Sequence, residues 1–336
     1  EIYTGTTSSA ASDVYKRQGS HRAQTARCRI GHWLQSRDCA RSGVSSVIVS
    51  RAQLIRVKAR PSPSPNIGIM SSLTQMRRHG LFDARVPRYT SYPTANHFTD
   101  GVGPAEMATF LTNLPSDERI SLYIHIPFCR RLCWFCACRT QGTATASPVR
   151  SYVETLKREI ALIRERLPDG IELSRLHWGG GTPTLLEADV ISDLAETIRD
   201  AFPMGEGAEF SVEIDPNEID DARLDALAAA GLNRASIGVQ DFDPDIQAII
   251  GRDQSFDVTK RAVDGLRARG IDSLNVDILY GLPNQTQARI SDSVQRVLSL
   301  SPERIALYGY AHVPWMARRQ ALIPTDLLPR PEERLA

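Results

Sequence analysis

From Ile120 onward, apolar and polar positions follow two alternating rhythms. Short runs of period two predict strands over 120–126, 174–178, 208–214, 233–239, 273–279 and 303–310. Longer runs stepping by three and four predict helices near 148–167, 187–202, 219–230, 256–269 and 285–299. The first of these carries the stripe Val153, Leu156, Ile160, Ile163 and Leu167. Gly231 and Gly270 stand just past two predicted helix ends, where a left-handed residue closes a helix. Repeated strand–helix units imply a parallel sheet with right-handed crossovers, an α/β fold.

The strands are not apolar throughout, as parallel strands buried on both faces would be. Ser211 and Glu213 share one face of their strand, opposite Phe210, Val212 and Ile214. Ser236, Gly238 and Gln240 share a face, as do Asn275 with Asp277 and Tyr123 with His125. The apolar sides are free to meet helices, so the polar sides are expected to converge inside a barrel. Unpartnered polar groups in an interior cost about 1–3 kcal/mol each, so such a lumen implies a polar ligand.

Residues 1–69 differ from the rest, holding eleven Lys or Arg against three Asp or Glu, whereas 70–336 hold 29 against 36. They show no sustained period, and Ser8–Gln18 resembles translated adaptor sequence, so 1–69 is expected to be a non-native, disordered segment. All five methionines lie at 70 or beyond, and Met70 suits a native start. Residues 70–118 read as an N-terminal extension with a helix at 104–114, and Arg88–Thr94 should run extended near a substrate mouth. Residues 119–336 form the barrel unit, with a further helix beginning at Arg330. Net charge is near zero, which argues against a nucleic-acid or membrane partner, and no apolar run is long enough to span a bilayer. These features predict a cytoplasmic protein.

Four of the six cysteines, at 129, 133, 136 and 138, fall directly after the first strand. Four thiols in one tight loop are neither core filling nor convenient disulfide partners, and they point to a metal. Structural zinc prefers two separated Cys-x2-Cys turns. Cys-x3-Cys-x2-Cys instead suits three corners of an iron–sulfur cubane, leaving one iron open to a small ligand. The second strand runs into Gly179-Gly180-Gly181-Thr182-Pro183-Thr184, which by itself reads equally as a tight turn or a phosphate nest.

The cysteine spacing and the His177–Thr184 run together resemble the radical S-adenosylmethionine (SAM) superfamily. Tyr123-Ile-His-Ile-Pro-Phe-Cys129, Cys138 and the Arg88–Thr94 leader resemble, more narrowly, the oxygen-independent coproporphyrinogen III oxidase family. The resemblance implies a partial (β/α)6 radical SAM barrel, with the family's C-terminal helical domain missing after Ala336. It implies a 4Fe-4S cluster on Cys129, Cys133 and Cys136, and up to two SAM molecules. Tyr123, Gly180, Glu213 and Ala311 match positions lining the first SAM site. Phe135, Gly181, Thr182, Gln240, Arg252 and Asp277 match positions lining a second. Cys138 is open between a relay for hydrogen or electrons, a thiol behind the cluster ligands, and a spare.

The implied reaction is oxidative decarboxylation of two propionates of coproporphyrinogen III to vinyl groups in haem biosynthesis. It requires an electron donor and an acceptor that the sequence does not name, and a monomer is expected. Two other readings stay open: the haem-chaperone branch of the same superfamily, and a zinc-stabilised binding module.

Overall fold

A computed structural model describes residues 49–50, 68–82 and 97–335. Arg88–Thr94, Cys28 and Cys39 lie outside the described residues.

Ahead of the barrel come β1 (Val49–Ser50), α1 (Gly68–Arg78) and α2 (Pro104–Thr112). The repeating part follows as β2 (Arg119–Ile126), α3 (Ser147–Arg164), β5 (Glu172–Gly180), α4 (Ala188–Ala201), β6 (Met204–Ile214), α5 (Asp221–Ala229) and β7 (Arg234–Gln240). It continues through α6 (Pro244–Ile249), α7 (Phe256–Arg267), β8 (Ser273–Tyr280), α8 (Gln287–Ser299) and β9 (Arg304–Gly309), with α9 (Pro331–Leu335) last. Between β2 and α3, β3 (Phe128–Cys129) and β4 (Gln141–Gly142) form a two-stranded ladder of their own. All six expected strands and all seven expected helices form, counting those at 104–114 and after Arg330. Helix α6 and the β3–β4 pair, too short to show a period, do not announce themselves in the sequence, and α1 begins two residues ahead of Met70.

The six strands β2-β5-β6-β7-β8-β9 pair parallel in that order. Among the described residues no ladder joins β9 back to β2, so the barrel is open at that seam. Val49 and Ser50, from the segment expected to lie outside the fold, pair antiparallel with Leu122 and Ser121 at the β2 edge.

The alternation expected from the sequence is the physical basis of the two layers. Along β2, Ile120, Leu122, Ile124 and Ile126 are buried against the helices, while Tyr123 and His125 on the other face are half-buried. Along β7 the same holds for Ala235, Ile237 and Val239 against Ser236 and Gly238. The α3 stripe seats Val149, Val153, Leu156 and Ile160 in the shared core beside Trp178, Phe202 and Phe210. Each such fully buried side chain contributes about 1.5–3 kcal/mol relative to exposure, so register is strongly specified. Asp220, Ser255 and Thr286 cap α5, α7 and α8 by accepting backbone N–H groups, and Gly231 and Gly270 close their helices at φ 89° and 76°. Among the described residues, no helix is long and apolar enough to cross a membrane.

Candidate active site

The C-terminal strand ends gather the chemistry, as parallel barrels generally do. Beyond β2 the chain makes the β3–β4 ladder, which staples the base of the cysteine loop. Gln141 N–H donates to Pro127 (2.8 Å) and Thr143 N–H to Cys129 (3.0 Å). Cys129, Cys133 and Cys136 are half-buried, and Cys138 is exposed.

Three neighbours act on these thiols. Burial pushes Cys129 up, opposed by hydrogen bonds from Thr182 and Thr140. Burial also raises Cys133, partly offset by Arg252, whose Nη1 lies 3.6 Å from its Sγ. Cys136 is drawn down to about 6, chiefly by the hydrogen bond from the Cys138 thiol and against the effect of burial. The same bond raises Cys138, which holds its proton for its neighbour, and Cys138 N–H donates to Cys136 Sγ at 3.4 Å.

The glycine run crosses directly over this loop. Gly181 N–H donates to Ile126 and Thr182 N–H to Phe128, both at 2.8 Å. A Cβ on Gly181 would stand 2.5 Å from the Phe128 carbonyl oxygen and 3.0 Å from Cys129 Sγ. Gly180 sits at φ 119°, and a Cβ there would meet the His125 ring at 2.7 Å. Only glycine permits this approach.

Glu213, on β6, receives the Gly180 N–H at 3.0 Å and faces His177 Nε2 at 3.5 Å. Burial pushes its carboxyl up, but His177, Gly180 and His125 outweigh that, and the net position is below the ordinary carboxylate range. Tyr123 stacks on the His177 ring at 5.5 Å, and burial together with the Glu213 charge raises its phenol. One strand pair farther round, Asp277 accepts from Asn275 (2.7 Å) and Ser236 (3.1 Å), and burial raises it. The four polar stripes read from the sequence therefore face one lumen.

At the end of β7, Gln240 takes φ 73° while Asp241 N–H bonds back to Val239 at 3.0 Å, a γ-turn of the uncommon positive-φ kind. Arg252, buried after α6, is held by the Gly238 carbonyl (2.6 Å) and Gln254 Oε1 (3.0 Å to Nε), with Asp215 at 3.8 Å. Phe135 packs against the small apolar cluster that includes Ile246, Ile250 and Leu279, and the Ala311 carbonyl, just past β9, takes a hydrogen bond from Gln320 at 3.2 Å. The candidate cluster and SAM residues from Tyr123 to Ala311 thus lie at this end of the barrel, while Arg88–Thr94 fall outside the described residues.

The motifs leave two groups unannounced. Asp241 is fully buried, its carboxylate taking Ser293 (2.6 Å), Gln285 (2.6 Å) and Asp243 N–H (2.7 Å). Gln320, 1% exposed, bridges the cysteine loop to the chain after β9. Neither carries a sequence signal, since Asp241 stands among Asp243, Asp245 and Gln247, and Gln320 directly follows Arg318 and Arg319.

Among the described residues no three His, Cys, Asp or Glu side chains converge on one ion. A cubane gives each thiolate its own iron. The donor set of three thiols, the glycine cradle and the half-open Glu213 fit a cluster with a polar ligand beside it.

The radical SAM superfamily profile matches residues 123–297. The oxygen-independent coproporphyrinogen III oxidase of Paracoccus denitrificans (strain Pd 1222) is 65% identical over 266 residues, covering 79% of this chain and 59% of that protein. The Escherichia coli (strain K12) protein of the same name is 40% identical over 249 residues, covering 74% and 54%. The solved structure of coproporphyrinogen III oxidase from Escherichia coli, described as a radical SAM enzyme, superposes with TM-score 0.69 at 37% identity, covering 72% of this chain and 56% of that one. This chain therefore spans little more than half the length of the relatives it matches. The cysteine loop, the glycine cradle and most of the polar lumen fall inside the matched region, which is more than half of the chain, and the chain belongs to the radical SAM superfamily.

Proposed function

We propose that this chain carries the radical-generating part of an oxygen-independent coproporphyrinogen III oxidase, which converts two propionates of coproporphyrinogen III to vinyl groups. The observation that carries the reading is the loop of three thiols under a glycine cradle, with Glu213 bonded to the Gly180 N–H. The 65% identity to a protein of that name supports the substrate assignment.

Cys129, Cys133 and Cys136 would hold a 4Fe-4S cluster. Tyr123, Gly180, Glu213 and Ala311 would line one SAM site, and Phe135, Gly181, Thr182, Gln240, Arg252 and Asp277 a second. When bound, these groups supply a one-electron cleavage of a sulfonium that yields a hydrogen-abstracting carbon radical. The chain's own residues bind, orient and shield. Glu213, ionised at neutral pH, offers acceptors to a cationic amino group. Arg252 brings a fixed positive charge beside the Cys133 sulfur and can meet a carboxylate. Asp277, raised by burial, presents a carboxyl already oriented by Ser236 and Asn275. Cys138 lies beside Cys136 without being needed as a fourth thiolate and would act as a relay. An external one-electron donor and an electron acceptor complete the balance.

The test is anaerobic reconstitution of the 336-residue chain with iron and sulfide, followed by reduction in the presence of SAM. Formation of 5′-deoxyadenosine is expected. Tightly held zinc with no uptake of iron and sulfide would refute the reading.

A further inference from the structure

The open seam between β2 and β9 is closed at its catalytic end by side chains rather than by strand pairing. Gln320, on the short turn after β9, is 1% exposed and spans the seam. Its Nε2 donates to the Phe135 carbonyl (2.7 Å) and the Ala311 carbonyl (3.2 Å), and its Oε1 accepts from Val313 N–H (2.5 Å). One planar amide thereby satisfies three backbone groups that no ladder reaches. Beside it, Arg319 donates to the Thr140 hydroxyl (2.7 Å) and the Cys138 carbonyl (3.3 Å).

Phe135 immediately precedes Cys136, so its carbonyl belongs to the peptide unit that carries the Cys136 N–H. That N–H donates to the Cys133 carbonyl at 3.4 Å. The peptide is rigid and planar. Gln320 fixes its oxygen and Cys133 its nitrogen, so the plane is set from both ends, and with it the position of the Cys136 Cα from which the thiol side chain projects. Cys133 is anchored in the same way from the opposite side, where the next residue, Trp134, donates its N–H to Ile250 at 2.8 Å. The two inner thiols are thus aimed from two different parts of the barrel, and Gln320 is the anchor on the β9 side.

We propose that Gln320 is a positioning residue of the cluster site, holding the Phe135–Cys136 peptide across the open seam so that Cys136 stays turned toward the metal. The inference rests on the cluster reading of the cysteine loop. Mutating groups that orient metal ligands typically costs about 10–100-fold in metal affinity or activity, and Gln320 orients the Cys136 peptide.

The experiment uses the full chain, reconstituted anaerobically, with iron loss to a chelator followed by the decay of cluster absorbance. Thermal midpoint and the EPR spectrum of the reduced cluster are measured alongside. Gln320→Met keeps volume and removes all three bonds. Asn233→Leu is the control: it removes an amide that accepts from Phe210 N–H (2.9 Å) and donates to the Ala208 carbonyl (2.9 Å) on β6, away from the cysteine loop. Both variants should lose thermal stability. Only Gln320→Met should lose iron about 10–100-fold faster than the unmodified chain, with a broadened EPR signal. Should Gln320→Met not fold, Gln320→Asn, one methylene shorter, leaves an amide in place but draws it away from Phe135, and the same acceleration is expected. A wild-type rate and spectrum in the folded Gln320 variant would overturn this inference alone. Failure of the unmodified chain to take up iron and sulfide would overturn it together with the cluster reading.

Discussion

Replacing Gly181 with Ala tests how closely the glycine run must approach the cysteine loop. The added Cβ would lie 2.5 Å from the Phe128 carbonyl oxygen, 2.9 Å from its carbon and 3.0 Å from Cys129 Sγ. Reaching ordinary contact requires a displacement of about 1 Å. The obstacle is backbone, not the end of a flexible side chain, and it cannot swing away. Two bonds straddle the position, Gly181 N–H to Ile126 and Thr182 N–H to Phe128, each 2.8 Å. Overpacking of this kind costs about 1–3 kcal/mol, and losing one of the two bonds adds about 1, so roughly 2–4 kcal/mol in total. For a unit of this size that lowers the thermal midpoint by roughly 4–16 °C. Thermal unfolding of the cluster-free protein measures this, and iron uptake reports the displaced Cys129. A midpoint within about 1 °C of the unmodified chain, with normal iron uptake, would refute the reasoning.

Changing any of Cys129, Cys133 or Cys136 to Ala should abolish cluster absorbance, whereas Cys138→Ala should keep it; iron loss in Cys138→Ala would show the division of ligands to be wrong. Glu213 has a folded pKa below its ordinary value, so its contribution to stability is present above the ordinary carboxylate range and fades as pH falls through the depressed value. Glu213→Gln should flatten that acid limb in a circular-dichroism titration, and an unchanged limb counts against the assignment. Arg252→Lys keeps the charge but cannot reach Gly238, Gln254 and Cys133 together, so SAM affinity by equilibrium dialysis should fall about tenfold or more. Gln240→Gly removes a positive-φ strain on the order of 1–3 kcal/mol, so the thermal midpoint should hold or rise while SAM affinity drops.

Period and spacing made most of this fold legible. The strands from 120 to 309 follow from alternation, because burial of one face selects a single register. Glu213 and Asp277 were visible as polar positions on strands whose other faces had to be apolar. The cysteines needed only their spacing. Contacts between residues far apart in the chain leave no periodic trace, and they hold the rest. Gln320 meets Phe135 across 185 positions, and Arg252 meets Cys133 across 119. Gln240's backbone angle is likewise invisible, since glutamine carries no preference for positive φ as glycine does.

The Gln240 γ-turn and the Asp241 network belong to one device. A strained residue persists only where its surroundings over-determine it, and the surroundings here are explicit. Asp241 is locked by Ser293, Gln285 and the Asp243 N–H, and its carbonyl accepts from Gln247 Nε2 at 2.7 Å. Gln247 also donates to the Gln254 carbonyl (2.8 Å), and Gln254 in turn holds Arg252. One buried chain of hydrogen bonds therefore runs from the helix α8 side, through the turn that ends β7, to the guanidinium beside Cys133. Parallel strands cannot bend a main chain toward a ligand while staying in register, and β7 accordingly breaks register between Gly238 and Gln240. The break turns Gln240 and the Gly238 carbonyl toward the lumen, and the carbonyl is taken by Arg252. Local departure from regular structure on one side of the mouth and the Gln320 bridge on the other thus serve the same end: they fix the cysteine loop against a sheet that does not close.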